Sequence, residues 1–151
     1  MEATEYLRQL QKLDKLITNK LIEKEQWRTI ALGTTARSAG ERVQSSGSQQ
    51  KMADAIGRCI DIEAEINAYI DKLIDKRQEI ISVIEKLPPV EYDFLHKVYV
   101  QFHTLREAGE LMDKSDGWAK KTHRRAIAEV QRILDERENN GEKGKKEKSA
   151  V

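Results

Sequence analysis

Between Cys59 and Leu87 apolar side chains return every three or four residues, at Cys59, Ile62, Ile66, Tyr69, Leu73, Ile80, Val83 and Leu87, with Lys76 as the polar interruption. A repeat of this kind predicts a long α-helix that lays a continuous stripe against a second helix. Ile56, Ile60, Ile70, Ile74, Ile81 and Ile84 lie beside the stripe and make it wider than one partner helix covers. The predicted helix runs over about residues 51–87.

A partner exists in the same chain. From about Thr4 to Leu32, Tyr6, Leu10, Leu13, Ile17 and Leu21 recur at threes and fours, flanked by Leu7, Leu16, Trp27 and Ile30. The two segments predict a long antiparallel hairpin with coiled-coil character over residues 1–87. The uncovered part of the wide face predicts a homodimer or higher homo-oligomer, with Ile62, Ile66, Tyr69, Leu73 and Ile80 as seam residues. Between the helices, at about residues 33–50, GTTARSAGERVQSSGSQQ loses the periodicity and reads as a flexible loop. Arg37, Arg42 and its serines could reach phosphate, but a mobile connector is the simpler reading.

Pro88 and Pro89 are the chain's two prolines, and they end the second helix, because the residue before proline leaves the helical region and proline donates no backbone hydrogen bond. They mark the expected domain boundary. Val90 to about Phe102 predicts a helix with Tyr92, Leu95, Val98, Tyr99 and Phe102 on one face.

Two short helical signals follow. Thr104 and Glu107 have capping-box spacing, so a helix starts near Leu105 and ends near Met112. Ser115 offers a second N-cap, and Trp118, Ala119, Thr122, Ala126, Ile127, Val130, Ile133 and Leu134 then recur at mostly helical spacing. Gly109 in the first short helix costs about 1 kcal/mol relative to Ala, which predicts a close helix crossing there. The opposite face of the second helix carries Lys120, Lys121, Arg124 and Arg125, with His123 among them and Asp116 the nearby acid. Two helices about a tight polar turn, the second basic, predict a helix-turn-helix over residues 90–137 whose second helix enters the major groove of double-stranded DNA. The plainer reading of the same charges is a solvated face on a small helical core.

With 35% charged and 5% aromatic residues and long spans free of helix breakers, the chain is expected to be all-α. A net charge of +1 excludes a globally basic nucleic-acid binder, so any attraction to DNA arises from local asymmetry. The opening MEATEYLRQL has no long apolar run, which leads to the expectation of a cytoplasmic protein without a membrane segment. Cys59, the single cysteine, falls on the apolar stripe and reads as a buried structural residue. His96 and His103 stand without a complementary set of ligands, so no metal or other cofactor is expected, and no nucleophile or phosphate-loop pattern suggests an enzyme. Residues 138–151 keep no periodicity and read as a disordered basic tail in which Lys143, Lys145, Lys146 and Lys148 could attract phosphate.

The stretch from Glu107 to Ile127 resembles region four of bacterial sigma factors. Leu105, Glu107, Ala108 and Gly109 match the opening of that pattern, Ser115 its cap, and Ala126 and Ile127 its close. Lys114 stands where an aliphatic turn residue is usual, Gly117 where a polar contacting residue is usual, and Thr122 where an aliphatic core residue is usual. By matching position, the resemblance assigns DNA contact to Asp116, Gly117, Lys120 and Lys121, with Arg124 further along. Over about residues 4–137 the chain is also similar to a family of small phage and prophage proteins with sigma-like C-terminal domains, formerly a domain of unknown function. The segments that carry this similarity are YLRQLQKLDKLITNK, GERVQSSGSQQKMADAI, DIEAEINAYIDKLIDKRQEII and GWAKKTHRRAI. What it implies is a late-gene transcriptional regulator, with host RNA polymerase as a candidate partner. A small-terminase-like subunit for DNA packaging and a coiled-coil protein-interaction module are the alternatives.

Overall fold

The computed structural model describes residues 1–40 and 46–150, with side chains at all of these except 34–40, 46 and 48. Among the described residues the fold is all-helical: α1 (Ala3–Gly40), α2 (Ser46–Ile84), α3 (Pro89–Leu95), α4 (Leu105–Leu111) and α5 (Asp116–Ser149), with a π-helical turn at His96–Val100 extending α3.

The helices are longer than periodicity predicts. Residues 33–40 and 46–50, expected in a flexible loop, belong to α1 and α2, and residues 41–45 lie outside the described residues. Likewise α5 runs to Ser149 through the segment expected to be disordered, with every side chain from Asp135 to Ala150 exposed. Loss of an apolar stripe means that a turn has no buried face. It does not by itself break the backbone helix, and neither segment contains a proline.

The chain forms two compact units. One comprises Leu13–Ile74, and the other joins Met1–Lys12 to Asp75–Val151. The division expected at Pro88 and Pro89 is therefore not where the contacts divide, because the first turns of α1 and the last turns of α2 belong with α3, α4 and α5. The prolines do act as anticipated on the backbone: α2 stops at Ile84, and Pro89 occupies the first turn of α3, where its missing N–H has no helical partner to lose.

In the Leu13–Ile74 unit, α1 and α2 run antiparallel. Ile17, Ile62 and Ile66 are buried together, and Trp27, Tyr69 and Leu73 pack on them. Lys20 pairs with Glu65 at 2.8 Å and Arg58 with Glu23 at 3.7 Å, while the Arg58 guanidinium lies 5.9 Å from the centre of the Trp27 ring. Cys59 is half-buried rather than buried, its Sγ 3.7 Å from the Lys24 carbonyl.

In the other unit, Leu7 and Leu10 of α1, Ile80, Val83 and Ile84 of α2, Phe94 and Leu95 of α3, and Ala119, Ala126 and Val130 of α5 are buried. Gln131 of α5 caps the start of α1: its Oε1 accepts from the Ala3 N–H at 2.7 Å and its Nε2 donates to the Met1 carbonyl at 3.2 Å. Lys76, the interruption in the apolar repeat, lies along the surface with its ammonium 5.7 Å from the Tyr6 ring centre and 2.8 Å from Glu79.

The five expected seam residues thus have a different role. Ile62, Ile66 and Ile80 are buried within the chain, and Tyr69 and Leu73 pack against the Ile17 cluster, so α1 already covers that stripe. Ile56, Ile60, Ile70 and Ile74 are the α2 isoleucines left exposed.

Candidate functional site

The connection between α4 and α5 is built by local rules. The Glu107 N–H donates to Thr104 Oγ1 at 3.1 Å and the Thr104 N–H to Glu107 Oε2 at 3.3 Å, which completes the capping box at the start of α4. The His103 imidazole and the Thr104 N–H hold the Glu107 carboxyl below its ordinary range. At the far end the Lys114 N–H reaches the Gly109 carbonyl at 2.8 Å and the Asp113 N–H the Glu110 carbonyl at 3.1 Å. That is a Schellman closure, and Asp113, with φ of 57°, supplies its left-handed residue. The Ser115 hydroxyl then accepts from the Trp118 N–H at 3.1 Å and starts α5.

α4 and α5 approach closely at Gly109. A Cβ on this residue would stand 3.2 Å from the Ala119 Cβ, so the glycine does answer a need for space. Trp118 closes the same core, edge-on to Phe94 with ring centres 5.6 Å apart, and the Lys114 ammonium lies 5.7 Å from its ring centre. The support helix ends with a matching device. Its π turn directs the Gln101 N–H to the His96 carbonyl and the His103 N–H to the Lys97 carbonyl, with Phe102 between them at φ of 65°.

This framework sorts the expected DNA-contacting residues by face. Ala119, Thr122, Ala126 and Val130 point into the core, while Asp116, Gly117, Lys120, Lys121, Arg124 and Arg125 are exposed. Lys120 stands 3.5 Å from Asp116, and both are more than half exposed, so the pair is weak and can open to a stronger anion. Arg125 reaches Glu91 of α3 at 3.5 Å. Lys121 and Arg124 have no acid within ion-pair distance among the described residues. Ser115, also exposed, already uses its hydroxyl as the cap of α5.

His123 does not belong to the basic face. It is half-buried beneath Tyr99, with its Nε2 2.6 Å from the Tyr99 hydroxyl and the two rings stacked at 25°. Burial and the nearby Arg8 guanidinium hold its imidazole below the ordinary histidine range. Burial likewise raises the Tyr99 phenol. The misplacement has a simple cause: positions one residue apart on a helix differ by about 100°, so a residue between two cations faces away from at least one of them. Arg8 and Lys114 were missed from the site's surroundings. Lys114 was visible as a cation next to a predicted cap, but only the fold brings Arg8 beside His123.

His96 and His103 are engaged locally, with Gln101 at 2.9 Å and Glu107 at 3.2 Å respectively. Among the described residues no three His, Cys, Asp or Glu side chains come together in a way that could hold a metal ion, and no helix is long and apolar enough to cross a membrane. The arrangement offers an exposed stripe of four cations on the first turns of a helix that a tight turn and a compact core hold in place. No family model, curated protein or solved structure matches the chain.

Proposed function

We propose that the chain is a sequence-specific DNA-binding regulator of transcription. In this reading α4, its turn and α5 form a helix-turn-helix, and the start of α5 enters the major groove. The observation that carries it is the two-sidedness of α5: one side is locked into the core through Ala119, Thr122 and Ala126, and the other presents Lys120, Lys121, Arg124 and Arg125. Of these, Lys120 and Arg125 stand near Asp116 and Glu91, while Lys121 and Arg124 have no acid within ion-pair distance among the described residues. A rigidly mounted helix can fix the register of base contacts, while a loose basic segment gives attraction without register. Gly117 presents no side chain at the tip of the helix, which lets its backbone approach the groove. The resemblance of about residues 4–137 to the phage and prophage family extends the reading to late-gene activation, with host RNA polymerase as a candidate partner.

The test is fluorescence anisotropy against genomic fragments selected by the protein, measured over a range of salt. Lys120→Ala with Arg124→Ala is expected to weaken binding and, if both touch phosphate, to reduce the slope of log K on log salt by about 2. A double variant that binds as the parent does would overturn the assignment of the reading helix.

A further inference from the structure

The exposed isoleucines of α2 form a pattern with two-fold symmetry. Reading along Leu13–Ile74, the outward seam beside the α1 contact is Ile56, Ile60, Glu63, Asn67, Ile70 and Ile74, with steps of four, three, four, three and four residues. It reads the same from either end, with its centre at Glu65. The isoleucines are exposed to 45%, 62%, 37% and 50% respectively, and Glu63 and Asn67 are exposed as well. These values are high for four isoleucines on one helix stripe, since surfaces of this kind mark interaction sites.

The geometry points to a second copy of this chain as the occupant, docked antiparallel along α2 about a two-fold axis at Glu65. In that register Ile56 meets the partner's Ile74, Ile60 the partner's Ile70, and Glu63 the partner's Asn67. The central layer is then complementary, because the amide N–H of Asn67 donates to the carboxylate of Glu63, once on each side of the axis. A parallel pairing would instead set Glu63 against Glu63, two like charges in the middle of an apolar seam, so the polar layer selects the antiparallel form. Among the described residues Glu63 keeps a long contact to Lys24 at 3.8 Å.

The surface beside the seam is concave and mostly apolar. An open groove of about 350 Å³ runs between α1 and α2, with Leu32, Ile56 and Ile60 along it and Arg28 and Glu63 at its polar edge. Covering the seam together with Leu32, which is 61% exposed, removes on the order of 500 Å² from each copy, near the lower bound of about 1,000 Å² in total for a specific dimer. This pairing replaces the seam read from the heptad repeat, and it does not depend on what the basic face of α5 binds.

The experiment uses the full chain. Its mass in solution is expected to be twice 17.4 kDa. Ile60→Glu with Ile70→Glu, both on exposed positions, is expected to return it to the monomer with unchanged far-ultraviolet circular dichroism. Spin labels on a Cys59→Ala background then read the direction. At Ala64→Cys the two labels are separated by only about 3 Å along the axis, and at Gln50→Cys by about 45 Å, from the 1.5 Å rise per residue. A monomeric parent, a dimer that survives the double variant, a closed ring of many subunits, or equal label separations at the two positions would each overturn the proposal.

Discussion

Thr122 provides the sharpest test of how the α4–α5 core is held. Its side chain is 1% exposed, and its hydroxyl oxygen has no hydrogen-bond partner among the described residues. A buried hydroxyl in that state costs about 1–3 kcal/mol in lost hydration. Valine has nearly the same shape, so Thr122→Val removes this cost without opening a cavity, and burial of the added methyl contributes up to about 0.8 kcal/mol. Part of this gain is offset wherever the core must shift to take the added methyl, which leaves an expected stabilisation of about 1–2 kcal/mol. Urea unfolding measures it, and the two tryptophans allow the signal to be assigned. Trp27 lies in the Leu13–Ile74 unit and Trp118 in the other, so on a Trp27→Phe background the fluorescence reports the unit that contains Thr122. The midpoint is expected to rise at unchanged slope, and the melting temperature by roughly 2–4 °C per kcal/mol for a chain of this length. Thr122→Ser keeps the hydroxyl and removes the methyl, so it is expected to cost about 1 kcal/mol. A lower midpoint for the valine variant, with Ser tolerated, would show that the hydroxyl is satisfied and the reasoning wrong. Under the proposed DNA-binding reading, affinity is expected to remain unchanged in both, since Thr122 is buried while the cationic stripe is exposed.

Other outcomes follow from the same geometry. Gly57→Ala, at a mid-helix position with nothing within 4 Å of the added Cβ, is expected to stabilise the chain by about 1 kcal/mol, whereas Gly109→Ala forfeits that gain against the Ala119 Cβ at 3.2 Å; thermal unfolding of the two variants decides the contrast. Gln131→Ala removes the acceptor at the start of α1 and is expected to cost about 1 kcal/mol, with faster amide exchange at Ala3 as the local reporter. Acidification tests the histidines. His96 and His123 are held below the unfolded value near 6.5, so the unfolded chain binds protons first, and stability is constant above about pH 7 and falls as the pH drops below about 6.5. The lowered carboxyls of Glu79 and Glu107 respond only below their ordinary range, so a titration between pH 7.5 and 5.5 isolates the imidazoles, and His123→Gln is expected to reduce its slope and leave the His96 contribution.

Features governed by neighbours along the chain were legible in the sequence. Thr104 with Glu107 and Ser115 with Trp118 are closed by hydrogen bonds across three residues, and both stand where spacing placed them. Gly109 was legible as a glycine that needed a reason. Which stripe of α2 would face α1 was not legible, because the apolar face is wide and the choice depends on the register of a segment far away in sequence. The heptad singled out Ile62 and Ile66 as contact residues and assigned them to a second copy, whereas they pack on Ile17 of the same chain. Periodicity also understated helix length at 33–40, 46–50 and 138–149, since it detects burial and these turns have no apolar stripe. His123 was grouped with its basic neighbours by sequence adjacency, while its contact with Tyr99 depends on the packing of α3 and its π turn on α5.

The division of the chain also orders events during its synthesis. Leu13–Ile74 is one uninterrupted segment, so its two helices can pair as soon as the second has left the ribosome. The unit with the cationic stripe is discontinuous: Ala3 waits for Gln131, and Arg8 for His123, across the whole of the intervening segment. A released chain that ends at Pro89 therefore carries the complete Leu13–Ile74 segment and an unmatched leading turn. Truncation from residue 90 onward, the natural cut for isolating the C-terminal helices, takes Leu7, Leu10, Ile80, Val83 and Ile84 away from the core they share with Phe94 and Val130. The basic helix becomes firmly mounted only when the leading turns of α1 are present with it, so its competence depends on segments that lie on opposite sides of Leu13–Ile74 in the sequence.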